Sequence, residues 1–185
     1  MTFDKKLLEE SINLIFEDKF QALYIPEVVL GKGFFGKIMN FERSFYSETP
    51  IDAVRVVKKE IFNKVGGYDE KNIIFGADDW DLTKSIRKIT NKISITKNKL
   101  YHHEESLDWK TFLIKKGKYV NCFDGYIKKW GKDYPDVKKQ LGLWYRSVVV
   151  FTEEGKWRQL ITHPILTMSM YLSRFLTWLS YKMNQ

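Results

Sequence analysis

The sequence is nearly free of cysteine and poor in histidine: Cys122 is its one thiol, and three histidines serve all 185 residues. A lone thiol closes no internal disulfide, and the chain has no Cys/His spacing of the zinc-binding kind. It also lacks an arginine-rich arm, a zinc finger and an RNP-type aromatic signature, so no nucleic-acid partner is expected despite a net charge of +8. Its basic residues are dispersed as Lys-Lys pairs such as Lys5/Lys6, Lys58/Lys59 and Lys138/Lys139. Charge of that kind suits phosphorylated ligands or an anionic membrane surface. The glycine-rich run at 31–36, GKGFFG, has no Walker lysine-serine pair and the wrong spacing for a dinucleotide fingerprint, so its glycines read as turn residues. No secretory signal opens the chain, because residues 1–18 form a charged amphipathic segment; the cytoplasm is the expected compartment.

Long apolar runs are missing as well. A spanning helix wants about 20 predominantly apolar residues, and the best candidate, 163–185, is interrupted by Arg174. Ile165, Met168, Leu172, Phe175, Leu176, Leu179 and Met183 fall on one helical face of that stretch, while Ser169, Ser173, Ser180 and Asn184 fall on another. Trp157 and Trp178, with Lys156, Arg158 and Lys182 nearby, suit a headgroup layer. The stretch therefore reads either as a peripheral contact with the cytoplasmic face of a membrane or as a helix packed on the domain or on a second subunit.

What is present is a globular core: 44% hydrophobic and 16% aromatic residues exclude a disordered chain, and the length suits one domain with appendages. Asp4 is placed to cap a helix carrying Leu7, Leu8, Ile12, Ile15 and Phe16. A strand follows at 21–26, then a helical aromatic stripe of Phe34, Ile38, Phe41, Phe45 and Tyr46. Residues 53–57 read as a strand and 58–65 as a helix, stopped by Gly66 and Gly67 because glycine accepts the left-handed conformation of a helix end. Asp78, Asp79 and Asp81 open a helix to about residue 89 with Leu82, Ile86 and Ile89 inward. Acids there have an ordinary reading, since they cap free amides and meet the positive end of the helix dipole. Strands at 92–96 and 100–104 come next, the latter holding His102 and His103, whose side chains point to opposite faces. A basic, aromatic, helical segment spans 108–130; its Lys115, Lys116 and Lys118 either face a phosphate or stay solvated.

The stretch 53–82 resembles the acceptor-side half of the family-2 glycosyltransferases of the GT-A fold. Arg55, Phe62, Val65, Gly66, Gly67, Tyr68, Asp69 and Glu70 match the first motif of that half, and Gly76, Asp78, Asp79, Trp80, Asp81 and Leu82 match the G-x-E-D-W-D-L motif after it, with Asp78 in place of the usual Glu. Pro26, Glu27, Val28, Gly31, Gly33, Phe34, Glu42 and Arg43 match the preceding segment. The resemblance implies an α/β fold, a partial GT-A domain (a Rossmann-like mixed sheet with flanking helices) over 1–132 with a helical extension over 133–185. It further implies inverting transfer of a sugar from a nucleotide-diphosphate donor to a glycan or lipid-linked acceptor.

Under that resemblance Asp79 is the catalytic base and Asp78 orients acceptor or base, while Asp81 caps the helix. Trp80, Glu42 and Arg43 lie on the acceptor side, and Arg55, Gly66 and Gly67 on the donor-side loop. His102 or His103, with His102 preferred, would bind the Mg or Mn ion that bridges the donor diphosphate. A hydrolase fits less well, because it wants two carboxylates set across the bond and only one acidic cluster is present. The nucleotide-binding half of such enzymes, with its Asp-x-Asp motif, has no counterpart here, so a separate N-terminal half is an expected partner. The alternative is a non-catalytic remnant that docks to a membrane or partner.

Overall fold

A computed structural model describes residues 1–73, 76–105, 109, 111–113 and 123–183, with side chains as far as residue 179. The order is β1 (Thr2–Phe3), α1 (Leu7–Phe16), β2 (Ala22–Tyr24), β3 (Glu27–Gly31), α2 (Gly33–Arg43), β4 (Val56–Val57), α3 (Lys59–Val65), α4 (Asp78–Ile89), β5 (Ile93–Ile95) and β6 (Leu100–Glu104). Then come α5 (Asp124–Trp130), α6 (Pro135–Leu141), a π-helical turn (Tyr145–Val149) that runs into Val150–Thr152, α7 (Trp157–Thr162) and α8 (Pro164–Met183). Lys115, Lys116 and Lys118 lie outside the described residues.

The fold is mixed α/β with two small mixed sheets. One has the order β1-β6-β3, with β1 antiparallel and β3 parallel to β6, and its register sets Val29 opposite His102. The other has the order β4-β2-β5, with β4 antiparallel and β5 parallel to β2. All three residues of β2 are buried, as a central strand requires. The expected strand at 53–57 is only Val56–Val57, although Arg55 N still donates to Leu23 O.

Three apolar clusters hold the elements. Ala22, Tyr24, Val54, Ile61, Leu82 and Ile86 pack α3 and α4 onto the second sheet. Ile38, Phe41, Phe45, Tyr46, Phe151 and Met170 are among the residues joining α2 to the C-terminal helices. Ile73, Ala77, Tyr126 and Val137 join α4 to α5 and α6, and Trp80 packs against both of the latter clusters.

Glycines 31–36 do more than turn the chain. They span the end of β3 and the first turn of α2, and a Cβ on Gly36 would lie 2.1 Å from the carbonyl carbon of Gly31. Bare backbone is what lets α2 fold back along β3. Gly33 begins α2 with φ +61°, where glycine is favoured.

Several expectations change at the helix ends and faces. Asp4 does not cap α1; its carboxylate accepts from Lys99 N at 2.7 Å and Tyr101 Oη at 2.9 Å, fastening β1 to β6. Those bonds hold its carboxyl below the usual range, the Lys99 amide chief among them. On α1 Leu7 and Ile15 are buried, whereas Leu8, Ile12 and Phe16 face outward and line an apolar cavity of about 670 Å³ with Val57 and Lys58. On α4 Ile89 is exposed, and the inward side holds Asp81, Leu82, Thr83, Lys84 and Ile86. No helix among the described residues is long and apolar enough to cross a membrane.

Candidate functional site

Gly66 and Gly67 end α3 with φ +85° and +70°, and the missing Cβ of Gly67 leaves room for the Phe62 ring, 3.1 Å from where that Cβ would be. The turn carries Tyr68 edge-on to Phe62, with 5.9 Å between ring centroids, and points its hydroxyl toward Asp79 Oδ1 at 3.5 Å. The two glycines thus position Tyr68. Burial, and then the nearby Asp79 and Asp78 carboxylates, raise the Tyr68 phenol, so it stays a donor.

Asp79 lies in the first turn of α4 with 42% of its side chain exposed, enough for a ligand to reach it. No side-chain cap is made at this helix start. Instead, Asp79 Oδ2 accepts from Arg55 NH1 at 3.0 Å, and Arg55 NH2 reaches Glu27 Oε1 at 2.5 Å. Glu27 Oε2 pairs with Arg43 NH2 at 2.8 Å, and the same nitrogen reaches Asp52 Oδ1 at 3.2 Å. A relay of alternating charge, Asp79–Arg55–Glu27–Arg43–Asp52, therefore joins α4 to β3 and α2. Burial works against the Arg55 charge, but Glu27 and Asp79 beside it outweigh that and hold it protonated. Burial raises the Asp52 carboxyl, with Arg43 opposing.

His102 joins the relay and His103 does not. His102 Nε2 is 3.7 Å from Glu27 Oε2, whereas His103, on the other face of β6, contacts Thr2 Oγ1 at 2.9 Å and Glu105 Oε1 at 3.0 Å. Burial pushes the His102 imidazole below its usual value, with Glu27 opposing and Arg55 and Arg43 adding to the fall. As a cation cradle the arrangement fits poorly. No three His, Cys, Asp or Glu side chains converge among the described residues, and two guanidinium groups stand beside the His102–Glu27 pair, where a cation would be repelled.

Asp81 is a structural residue of another kind from the cap expected of it. It is 1% exposed, and its two oxygens accept from Lys129 Nζ at 2.9 Å and Trp130 Nε1 at 2.6 Å. Lys129 also reaches Asp69 Oδ2 at 2.9 Å, so one ammonium ties the loop after the glycine turn and α4 to α5. Asp78 is half-buried in the same turn as Asp79.

Beside the relay runs a groove of about 920 Å³ between Trp80 and α8. Trp80 forms one wall, held by Nε1 donating to Ile51 O at 2.7 Å and stacked on Phe123 with 5.6 Å between centroids. Glu42 and Arg43 line it as paired groups rather than free ligands. Arg43 belongs to the relay, while Glu42 Oε1 is 2.5 Å from both Arg174 NH1 and Tyr46 Oη. Arg174, the residue that breaks the apolar run, thus faces inward. Arg146 and Arg174 were missed in the sequence, where neither belongs to a motif. Glu27 and Tyr68 sit within matched motifs, yet nothing in their spacing shows their partners.

Residues 32–106, less than half of the 185, match the family model described as the N-terminal domain of galactosyltransferase. No curated protein and no solved structure matches the chain. The matched span runs from α2 to β6 and contains Arg43, Asp52, Arg55, Asp79 and His102 of the relay. The segment that carries Asp79 and Arg55 is therefore similar to a glycosyltransferase domain, a coarser statement than family 2 or the GT-A fold.

Proposed function

We propose that this chain transfers a sugar from a nucleotide-diphosphate donor to an acceptor hydroxyl with inversion, and that Asp79 is the general base. The observation that carries the reading is the accessible Asp79 carboxylate, oriented through one oxygen by Arg55 at 3.0 Å, in a segment of glycosyltransferase type. With Oδ2 held, Oδ1 takes the acceptor O–H proton as that oxygen attacks the anomeric carbon. The bond from that carbon to the diphosphate oxygen breaks on the opposite face, and the electron pair leaves with the nucleoside diphosphate. A positioned base of this kind contributes roughly 10²- to 10⁴-fold. Arg55 holds the carboxylate aimed, and the Tyr68 hydroxyl on the other side limits its rotation.

Among the described residues only the His102–Glu27 pair would meet the Mg or Mn ion expected from the resemblance; the proton transfer rests on Asp79. That poor cradle also favours a second reading, a non-catalytic subunit that docks through its C-terminal helices. One experiment separates the two. Nucleoside diphosphate release is measured over a panel of nucleotide sugars, with lipid and glycan extracts of the source cells as acceptor. Together with the N-terminal half expected as its partner, the wild type should turn over, and Asp79→Asn should lose about 10²- to 10⁴-fold with unchanged circular dichroism. Full transfer by Asp79→Asn would refute the assignment of the base.

A further inference from the structure

Residues 159–181 hold a single Lys, Arg, Asp or Glu, and that residue, Arg174, is turned inward to Glu42. The rest of the inward edge of α8 is packed on the domain as well: Ser173 is buried, and Met170 is enclosed with Ile38 and Phe41 of α2. What faces outward is apolar. Ile165, Met168 and Leu172 are 58–74% exposed, and Phe175, Leu176, Trp178 and Leu179 are 38–55% exposed. Together they leave bare an area on the order of several hundred Å², in a stripe where a surface helix in water would carry charge.

Charge at the two ends of the stripe selects its occupant. Arg158, exposed in α7, stands over the Trp157 ring at 5.6 Å, and Lys182 lies in the last turn of α8. The acids nearest Arg158 in the chain are met by a different cation, since Lys156 reaches Glu153 at 3.8 Å and Glu154 at 3.7 Å. A second copy laid stripe to stripe would bring cation to cation in either orientation, Arg158 against Lys182 when antiparallel and Arg158 against Arg158 when parallel, which opposes association. An anionic bilayer complements both ends at once, and Trp157 and Trp178 suit its headgroup layer. The helix does not cross that bilayer, because no helix among the described residues is long and apolar enough. Its inward edge is held by protein, so the stripe lies in the plane of the headgroups with the domain behind it.

We infer that the outward side of α8, with Arg158 and Lys182 at its ends, docks this chain on an anionic lipid bilayer. Such docking is independent of the transferase reading, since it needs neither donor nor acceptor. The test is co-sedimentation of the full chain with large unilamellar vesicles, made either of phosphatidylcholine alone or of phosphatidylcholine with one-third phosphatidylglycerol. The anionic vesicles should bind the chain about tenfold more tightly, as two cations near a charged surface imply. Salt of about 0.5 M should remove most of that preference.

Arg158→Gln should weaken binding to the anionic vesicles by about fivefold and leave binding to phosphatidylcholine unchanged. The double variant Met168→Asn with Leu172→Asn, at two exposed positions and with unchanged circular dichroism, should weaken binding to both by about tenfold or more. Leu8→Asn, on the exposed apolar side of α1, should bind as the wild type does. No sedimentation with anionic vesicles, equal binding to the two vesicle types, wild-type binding by the double variant, or an equal loss in Leu8→Asn would each overturn the inference. So would a dimer in sedimentation equilibrium that the double variant abolishes while vesicles bind nothing, since the stripe would then join two copies of the chain. If vesicles bind as expected and no sugar transfer is found, docking stands and the transferase reading alone falls.

Discussion

Arg174→Met tests whether an inward-facing cation really fastens α8 to the domain. Arg174 NH1 lies 2.5 Å from Glu42 Oε1 and 3.2 Å from Tyr46 Oη, and NH2 donates to Arg146 O at 2.7 Å. Its guanidinium also sits 5.3 Å from the centre of the Phe151 ring. Breaking a fully buried pair costs about 3–5 kcal/mol and an exposed one about 0–1. The two side chains are 20% and 17% exposed, nearer the buried limit, so we expect a loss of about 2–3 kcal/mol. For a domain of this size that is a fall in Tm of about 5–10 °C. Urea unfolding followed by circular dichroism gives the free energy, and Glu42→Gln with the double variant completes a cycle. A coupling of about 1 kcal/mol or more is expected. Additive effects, or a single-variant loss under about 0.5 kcal/mol, would show that apolar packing of Met170, Leu166 and Tyr171 holds the helix without the ion pair.

Gly36→Ala drives a Cβ into the Gly31 backbone and should cost about 3 kcal/mol or prevent folding. Gly33→Ala, with open space and only φ +61° to oppose it, should cost about 1 kcal/mol; equal losses in thermal melts would refute the close-contact account. Asp81→Asn should cost about 2–4 kcal/mol, because an amide has one acceptor oxygen and an NH2 that cannot accept, which leaves Lys129 or Trp130 unsatisfied; a loss near 1 kcal/mol would restore the cap reading. Lys84 is 3% exposed with its ammonium 4.4–4.8 Å from the ring centres of Tyr126, Trp130 and Tyr134, and burial pushes it down to about 8. The unfolded chain then binds the extra proton between about pH 8 and 10.5, so wild-type stability relative to Lys84→Met should rise across that window and stay flat below it. A flat difference in urea melts at pH 7.5 and 9.5 would refute it.

Near-neighbour physics explains what could be read from the residues in order. Helix α3 with its Gly66–Gly67 stop, helix α4 from Asp78 to Ile89, the strand holding His102 and His103 on opposite faces, and the glycosyltransferase resemblance all follow from spacing, glycine conformation and local motif. The acidic trio shows where that ends. Asp79 faces an arginine 24 residues away, Asp81 is enclosed by Lys129 and Trp130, and neither caps the helix. Any of the three acids satisfies the same local rule, and only distant partners separate them.

The sequence by itself determined most of the helices, the strands β2, β5 and β6, their periodicity and the chemistry on offer, because those depend on interactions within a few residues; β1 and β3 were not legible in it. It also marked the apolar stripe of α8. Tertiary structure alone decided which way that stripe faces: inward-pointing Arg174 meets Glu42 across 132 positions of chain, so the polar edge is buried and the apolar one is left outside. The relay from Asp79 to Asp52 and the groove along Trp80 have the same origin, since an ion pair depends on distance in space and periodicity carries no record of it.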